Sequence, residues 1–357
     1  MAFDKRQTNI AKGLAVLLLL WHHLFFQEPE LYNKFTSLLI VRTVPIECFL
    51  SRFCKVCVAM FLFLSGFGLY KSWCKNINTE KLKNGNTKMK QQFLFVKNHL
   101  LKLLFQYWFI YVLFVPLGIL FGIKFWEIYK YNLFYGIMDF MGLANIFTTP
   151  TINPTWWFMS IIIILYLLFP VLMKLFKWSS EVLIVCSVIL MIIPIFSGIP
   201  YFGKYFIWFP PFIFGMYFAE NDLFSKIQKH NASWMKAIAF SIGFIFLMAY
   251  LRRIGGNSVK YDTLFALSII LFSYLVLSRI KFISYLLDCL GKHSGTIFMF
   301  HTFIYYLYFS DFIYWFKYSP IIYIVMIALC YFIVIVIKYL KKLVKYDNFV
   351  NKLAGRK

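Results

Sequence analysis

Lys12-Gly13-Leu14-Ala15-Val16-Leu17-Leu18-Leu19-Leu20-Trp21-His22-His23-Leu24-Phe25 is an apolar run that opens on a cation and contains two histidines. Lipid does not solvate an imidazole, so a histidine at this depth is expected to face protein or an aqueous cavity. Lys12 and His23 lie about three helical turns apart, so they share one helix face with about 16 Å of rise between them. His22 lies about 100° around the helix from that line. One face of the helix therefore predicts a cationic entrance followed by a buried base.

The composition indicates an all-α, polytopic membrane protein. The chain has 357 residues, of which 61% are hydrophobic, 22% aromatic and 14% charged, whereas charged residues make up about 25% of an average soluble domain. The net charge of +23 comes from basic residues between the apolar runs. Membrane orientation and attraction to anionic lipid account for charges in such positions, so nucleic acid is excluded as a partner and the bilayer is expected as one.

Apolar runs along the chain predict about ten transmembrane helices. They are Ile10–Phe26, Val56–Tyr70, Leu100–Ile123, Trp156–Phe176, Val182–Ile195, Tyr205–Phe218, Ala237–Leu251, Leu264–Leu277, Thr296–Phe309 and Ile321–Ile337. The further stretch Tyr131–Phe147 is amphipathic and contains Asp139, which predicts a re-entrant or interfacial helix rather than a span. Asn153-Pro154-Thr155 predicts a capped start for the fourth helix.

The distribution of basic residues predicts the orientation. If the N-terminus is cytoplasmic, most of the 37 Lys and Arg residues fall in cytoplasmic segments, as the positive-inside rule requires. Both termini are therefore expected in the cytoplasm, with residues 1–345 forming one transmembrane domain in the cell membrane and residues 346–357 a short basic tail. Arg252 and Arg253 fall just outside the seventh span, and they mark a possible contact for an anionic acceptor.

Acidic residues and cysteines argue against several kinds of chemistry. The 14 Asp and Glu residues lie almost entirely in the connections, which disfavours a paired-carboxylate site, a carboxylate-bound metal and a proton-relay carrier. Seven cysteines do not make a complete disulfide framework. The lone Cys54-x-x-Cys57 pair has no second pair or nearby histidine, so no metal site is predicted.

Four segments, in order along the chain, resemble the integral-membrane acyltransferase family 3. They are Lys12 to His23 with ten residues between them, Phe61-Leu62-Phe63-Leu64-Ser65-Gly66-Phe67, Trp157-Phe158-Met159-Ser160 followed by Tyr166-Leu167-Leu168-Phe169-Pro170, and Leu290-Gly291-Lys292-His293-Ser294 followed by Phe298-Met299-Phe300-His301. The resemblance extends over essentially the whole chain. Two features depart from the family: its arginine pattern before the third span is replaced by Lys97-Asn98-His99-Leu100-Leu101-Lys102, and a frequent glutamate of the fourth span is absent from Ile161–Ile164.

The resemblance implies transfer of an acyl group, usually acetyl, from a cytoplasmic coenzyme A thioester such as acetyl-CoA to a hydroxyl of a cell-surface polysaccharide or lipid-linked glycan. In this interpretation His23 is the general base or a transient acyl carrier, since histidine has a suitable intrinsic pKa. Lys12, Lys97 and Lys102 are candidates to bind the donor phosphates, together with His99. The other pocket candidates are His22, as a structural partner facing a neighbouring helix, and Gln106, Tyr107, Ser160 and His301.

Two other functional classes stay open from the residues alone. A carrier or flippase for an anionic lipid or sugar would place Arg252 and Arg253 in an outer vestibule. Scarce intramembrane carboxylates and the lack of a visible inverted repeat count against it. A membrane glycosyltransferase of the metal-dependent kind needs clustered aspartates, whereas this chain has isolated ones.

Overall fold

Helices dominate the chain because a long apolar segment in lipid must satisfy its backbone hydrogen bonds within itself. The computed structural model describes residues 3–26, 34–41, 43–77, 85–197, 205–231, 233–256 and 258–353. Within those ranges the sheet structure is limited to one short antiparallel hairpin of β1 (Ile40–Val41) and β2 (Val44–Pro45). The all-α prediction is confirmed.

The α-helices of the described residues are numbered in chain order. They are α1 (Lys5–Phe25), α2 (Ile46–Cys54), α3 (Cys57–Asn76), α4 (Gly85–Phe114), α5 (Phe125–Ile128), α6 (Leu133–Phe140), α7 (Trp157–Trp178), α8 (Ser180–Ser197), α9 (Phe209–Glu220), α10 (Leu223–His230), α11 (Trp234–Ile254), α12 (Asp262–Leu275), α13 (Lys281–Gly291), α14 (Ser294–Thr302), α15 (Ser310–Trp315), α16 (Ser319–Leu343) and α17 (Tyr346–Leu353). A π-helical segment, Phe303–Tyr308, continues α14.

Seven helical segments of the described residues are long and apolar enough to cross a membrane. They are Lys5–Phe25, Ile46–Asn76, Met89–Phe121, Pro154–Trp178, Trp234–Ile254, Val259–Arg279 and Ser319–Leu343. The other three predicted spans fall on α8, on α9 and on α14 with its π-helical continuation, which are shorter or interrupted. A polytopic membrane protein is therefore supported, whereas the count of about ten spans is not confirmed.

The chain forms two compact units. The first comprises residues 1–27, 39–76 and 173–294, and the second comprises residues 28–38, 77–172 and 295–357. Lys12, His22, His23, Arg252 and Arg253 belong to the first unit. The other predicted site residues, Lys97, His99, Lys102, Gln106, Tyr107, Ser160 and His301, belong to the second.

Close helix packing in the first unit depends on small residues. At Gly66 of α3, a side-chain carbon would overlap the backbone carbonyl of Phe212 on α9, and at Gly215 of α9 it would overlap the carbonyl of Phe63. Small residues let helix backbones approach each other in this way. The Ser-Gly segment quoted above therefore serves helix packing.

The second unit contains the predicted amphipathic stretch and the predicted helix cap. Residues 131–147 form the eight-residue α6 and a series of turns, and no candidate span includes them. The side chain of Asn153 accepts hydrogen bonds from the backbone nitrogen and the hydroxyl of Thr155, at 3.0 and 2.7 Å. The helix therefore begins with the cap chemistry that Asn153-Pro154-Thr155 predicts.

Candidate active site

Helix α1 carries Lys12 and His23 on one face, and both side chains are half-buried. The helix begins at Asp4, whose carboxylate accepts a hydrogen bond of 2.9 Å from the backbone nitrogen of Gln7. It is unbroken from Lys5 to Phe25. The face predicted from the spacing is therefore continuous, with about three turns between the ammonium and the imidazole.

Helix α13 packs against a neighbouring side of α1, about 60–100° around the helix from Lys12. A side-chain carbon at Gly13 would overlap the carbonyl of Leu287, and one at Gly291 would overlap the carbonyl of Asn9. The amide of Asn9 also donates a hydrogen bond of 2.9 Å to the carboxylate of Asp288. Because the two backbones are in direct contact, α1 has little freedom to rotate about its own axis.

Asp288 and Lys292 form an ion pair of 2.6 Å at the end of α13. Hydrogen bonds from Lys292 and Asn9 lower the pKa of Asp288 below its ordinary value, although partial burial opposes this. The carboxylate therefore remains ionised and keeps accepting the Asn9 amide.

His22 turns away from the Lys12 face and packs against α2. Its Nδ1 lies 2.8 Å from the carbonyl oxygen of Ser51, and the side chain is buried. A carbonyl only accepts, so Nδ1 carries the hydrogen of this bond. The His22 ring contacts the His23 ring edge-on, with 4.9 Å between centroids. His22 thus acts as a fixed support beside His23.

Arg252 is buried and binds α2 next to His22: His22 contacts the backbone carbonyl of Ser51, and Arg252 binds that of Arg52. Its Nη1 donates to the carbonyl of Arg52 at 2.7 Å, and its Nε lies 2.7 Å from the carboxylate of Asp262. Arg252 and Asp262 are each only 1% exposed. The sequence pattern predicts an outward-facing cation here. The partner Asp262, at the start of the next span, is the signal that indicates a buried pair instead.

Arg253 has a different environment from its neighbour. Its side chain is exposed, and its guanidinium lies 5.6 Å from the centroid of the Phe49 ring. Of the two arginines predicted to meet an anionic acceptor, Arg253 is therefore the one whose charge remains accessible.

Helix α4 carries five of the predicted site residues. Lys97 is exposed, and the Nδ1 of His99 donates to the carbonyl of Phe95 at 2.8 Å. One turn further along, Lys102 and Gln106 line a common cleft of about 350 Å³. The amide of Gln106 donates to the hydroxyl of Thr296 at 2.8 Å. The structure therefore places Lys102 and Gln106 together and leaves Lys97 and His99 outside the lining of this cleft.

Tyr107 belongs to a buried network around Asp139. Its hydroxyl donates to the backbone carbonyl of Asp139 at 2.6 Å. The Asp139 carboxylate accepts hydrogen bonds from Thr151 at 2.6 Å, from Tyr129 at 2.9 Å and from the backbone nitrogen of Ile152 at 3.0 Å. Burial raises the pKa of Asp139 to about 6, although these three bonds oppose the increase. Asp139 therefore organises the segment between α4 and α7.

Ser160 and His301 are both buried and bonded to backbone. The Ser160 hydroxyl donates to the carbonyl of Gly142 at 2.8 Å, and the Nδ1 of His301 lies 2.9 Å from the carbonyl of Phe298. The π-helical segment begins two residues after His301. Such segments are rare and frequently occur at functional sites, so His301 keeps its place among the pocket candidates.

Metal-ligating side chains do not cluster in the part of the chain that the structure describes. No group of three or more His, Cys, Asp or Glu residues there is arranged to hold a metal ion. The seven cysteines are free thiols.

Comparison with known proteins gives one match. A protein-family model described as an acyltransferase domain matches residues 7–340, which is nearly the whole chain. No curated protein and no solved structure matches in the corresponding searches.

Proposed function

The chain belongs to the acyltransferase family 3, and from that premise we propose that it moves an acyl group, most simply acetyl, from cytoplasmic acyl-CoA to a hydroxyl of a cell-surface polysaccharide or lipid-linked glycan. A membrane acyltransferase has to connect a donor on one side with an acceptor on the other. The continuous face of α1 from Lys12 to His23 supports this proposal, because it aligns a cation and a base along the membrane-crossing direction.

The proposed chemistry uses His23 as general base. Its imidazole takes the proton of the acceptor hydroxyl while the hydroxyl oxygen attacks the thioester carbonyl. The carbon–sulfur bond then breaks, the acyl group stays on the acceptor oxygen, and the coenzyme A thiolate takes the proton from the imidazolium. A transient acyl-histidine would divide the same transfer into two steps. The contact between His22 and Ser51 supports either route, since it holds the neighbouring ring in place.

Cations on the cytoplasmic side are proposed to bind the donor. Lys12 is half-buried at the start of the α1 face, and Lys102 lines the cleft on α4. Lysine ammonium groups bind phosphate as point charges. Lys97 and His99 are proposed as outer contacts on the same helix, and Arg253 as the acceptor-side cation with Arg252 supporting it from within.

The experiment is acyl transfer from labelled acetyl-CoA to glycan by membranes that contain the His23→Ala, His23→Gln or His22→Gln variant. We expect either change at His23 to reduce transfer about 10²–10⁴-fold, because a positioned general base contributes about that much. The His22→Gln variant is the matched control, since glutamine keeps a donor for the Ser51 carbonyl, and it should retain most activity. Immunoblots normalise the amount of protein, and full transfer by His23→Ala would overturn the assignment.

A further inference from the structure

A cleft of about 350 Å³ in the second unit lies between α4, α16 and α17. Its lining combines the cations Lys102 and Lys341, the aromatic rings of Phe105 and Tyr346, the amides of Gln106 and Asn351, the carboxylate of Asp347 and the side chain of Val350. Small-molecule sites occupy about 300–1,000 Å³, so the cleft has the size of a small-ligand site.

Helix α17 completes the cleft. The hydroxyl of Tyr346 donates to the carbonyl of Phe105 on α4 at 2.8 Å, and Val350 is buried. The sequence predicts residues 346–357 only as a basic tail, whereas Tyr346–Leu353 form a helix and residues 354–357 lie outside the described ranges. Because the helix is held against α4, its side chains form one wall of the cleft, which a solvated tail could not do.

The ammonium of Lys341 is positioned by aromatic rings. It lies 5.0 Å from the centroid of Phe109 and 5.6 Å from that of Tyr346. Among the ion pairs of the described residues, none includes Lys341. The Asp347 carboxylate in the same cleft acts on this ammonium electrostatically but forms no ion pair with it, so the ammonium can still donate to an incoming anion.

We propose that this cleft binds the adenosine 3′-phosphate end of the acyl-CoA donor, with Lys341 as the cation for the 3′-phosphate. This inference rests on the proposed function, because acyl-CoA is the donor assigned there. The aromatic rings suit an adenine, which stacks on such side chains. The side-chain amides of Gln106 and Asn351 can donate hydrogen bonds to the ring nitrogens of adenine, and the Asp347 carboxylate can accept one from its exocyclic amine. A lipid headgroup would use the cations only, so the mixed lining favours the nucleotide.

The location agrees with this assignment. The positive-inside rule predicts that the N-terminal half of α4 and the C-terminal end of α16 lie on the cytoplasmic side, where the donor is dissolved. The nucleotide is the part of acyl-CoA farthest from the thioester. Binding it in this cleft leaves the pantetheine arm to carry the acyl group away from the cytoplasm.

The test measures binding without turnover, so it gives a result whether or not the acyl transfer proposed above is correct. The full chain, in nanodiscs of neutral phosphatidylcholine, is titrated calorimetrically with adenosine 3′,5′-bisphosphate and with adenosine 5′-monophosphate. We expect the bisphosphate to bind about tenfold or more tightly, because a hydrogen bond to a charged group contributes on that scale. The Lys341→Met variant should lose this preference, and it keeps an apolar stem over the Phe109 ring.

Lys342→Met is the matched control, since Lys342 is exposed on the same helix and does not line the cleft. It should bind both nucleotides as the unmodified protein does. Equal affinity for the two nucleotides, an unchanged preference in Lys341→Met, or the same loss in Lys342→Met would each overturn the proposal. A further titration repeats the nucleotide measurement on the unmodified protein in nanodiscs that also contain anionic phosphatidylglycerol. If that lipid abolishes the Lys341-dependent binding, the cleft holds a lipid headgroup and the nucleotide assignment is wrong.

Discussion

Arg252 and Asp262 place two opposite charges in the interior of the first unit, each 1% exposed. Breaking a buried pair by removing one partner costs about 3–5 kcal/mol, because the other charge stays buried without compensation. We therefore expect Asp262→Asn to lower the free energy of unfolding in detergent by an amount in that range. The double variant Arg252→Met with Asp262→Leu should lose less than the single variant.

Arg253→Met is the control for that measurement. Its guanidinium is exposed and lies over the face of the Phe49 ring, and an exposed contact of this kind contributes about 0.5–1 kcal/mol. If Arg253→Met lowered the free energy of unfolding as much as Asp262→Asn does, removal of any charge in this region would explain the result, and burial of the pair would not.

Asp139 gives a pH dependence with a definite sign. Its pKa is about 6 in the folded protein and 3.8 in the unfolded chain. Between these values the folded state binds the proton and the unfolded state does not, so the free energy of unfolding falls as the pH rises from about 4 to about 6. A difference of about two pKa units corresponds to about 3 kcal/mol.

The check is thermal unfolding of the unmodified protein and of Asp139→Asn across that pH window. Asparagine can keep its oxygen as the acceptor for Tyr129 and Ile152 and turn its amide nitrogen toward the Thr151 hydroxyl, which can accept, and it does not titrate. The stability of the variant should therefore decline less between pH 4 and pH 6. Parallel pH profiles for the two proteins would contradict the assigned pKa.

At the scale of elements, the α1–α13 contact determines where the Lys12–His23 face points. Gly13 contributes no side chain, and its neighbour across the contact is the carbonyl of Leu287. Gly13→Ala should force the two helices apart and reduce the free energy of unfolding by about 1–3 kcal/mol, as overpacking typically does. Transfer activity should fall with it, because His23 lies on the displaced helix.

Gly243→Ala on α11 is the matched control, since nothing lies within 4 Å of a side-chain carbon placed there. Alanine forms helix better than glycine by about 1 kcal/mol. This variant should therefore be neutral or slightly more stable in the same unfolding assay. Equal destabilisation by the two changes would contradict the assignment of the Gly13 effect to its contact with Leu287.

At the scale of the whole molecule, the direction of the chain across the membrane stays a prediction from its charges. Reporter fusions at the two termini should both show cytoplasmic activity, and a fusion in the connection near Trp126 should show the opposite side. Positive-inside charge predicts this result because most basic residues lie in the segments assigned to the cytoplasm. A terminus that reports the outer side would reverse the proposed donor and acceptor ends.

The sequence predicts this molecule well where a feature depends on local apolar length. The run Ile10–Phe26 is observed as Lys5–Phe25, and the Asn153 cap starts the fourth predicted helix where expected. Features that depend on distant partners are different. Asp262 is an isolated acid in the sequence. It forms a buried ion pair with Arg252 because α11 packs on α12 and brings the two side chains together, and the sequence alone does not show this packing.

The candidate site shows the same division. The shared face of Lys12 and His23 follows from helix geometry alone. By contrast, Lys341 looks like any other basic residue at the end of a span, and the fold of α17 is what places it in a cleft with Lys102. Asp139 is noticeable as an acid in an apolar stretch, but its three hydrogen-bond donors come from residues on both sides of it.

The π-helical turn Phe303–Tyr308 has a consequence for how this chain tolerates a change in length. A π-turn contains one residue more than the α-turn it replaces, and its hydrogen bonds skip one extra position. Because the π-turn already absorbs that extra residue, deleting one residue from it should restore an ordinary helix and leave the helix direction downstream nearly unchanged relative to His301. Such a shortened chain would keep the alignment of α15 and α16 with the residues before the turn and would lose only the widened turn after His301. A loss of activity with normal stability would therefore assign the turn itself to the site.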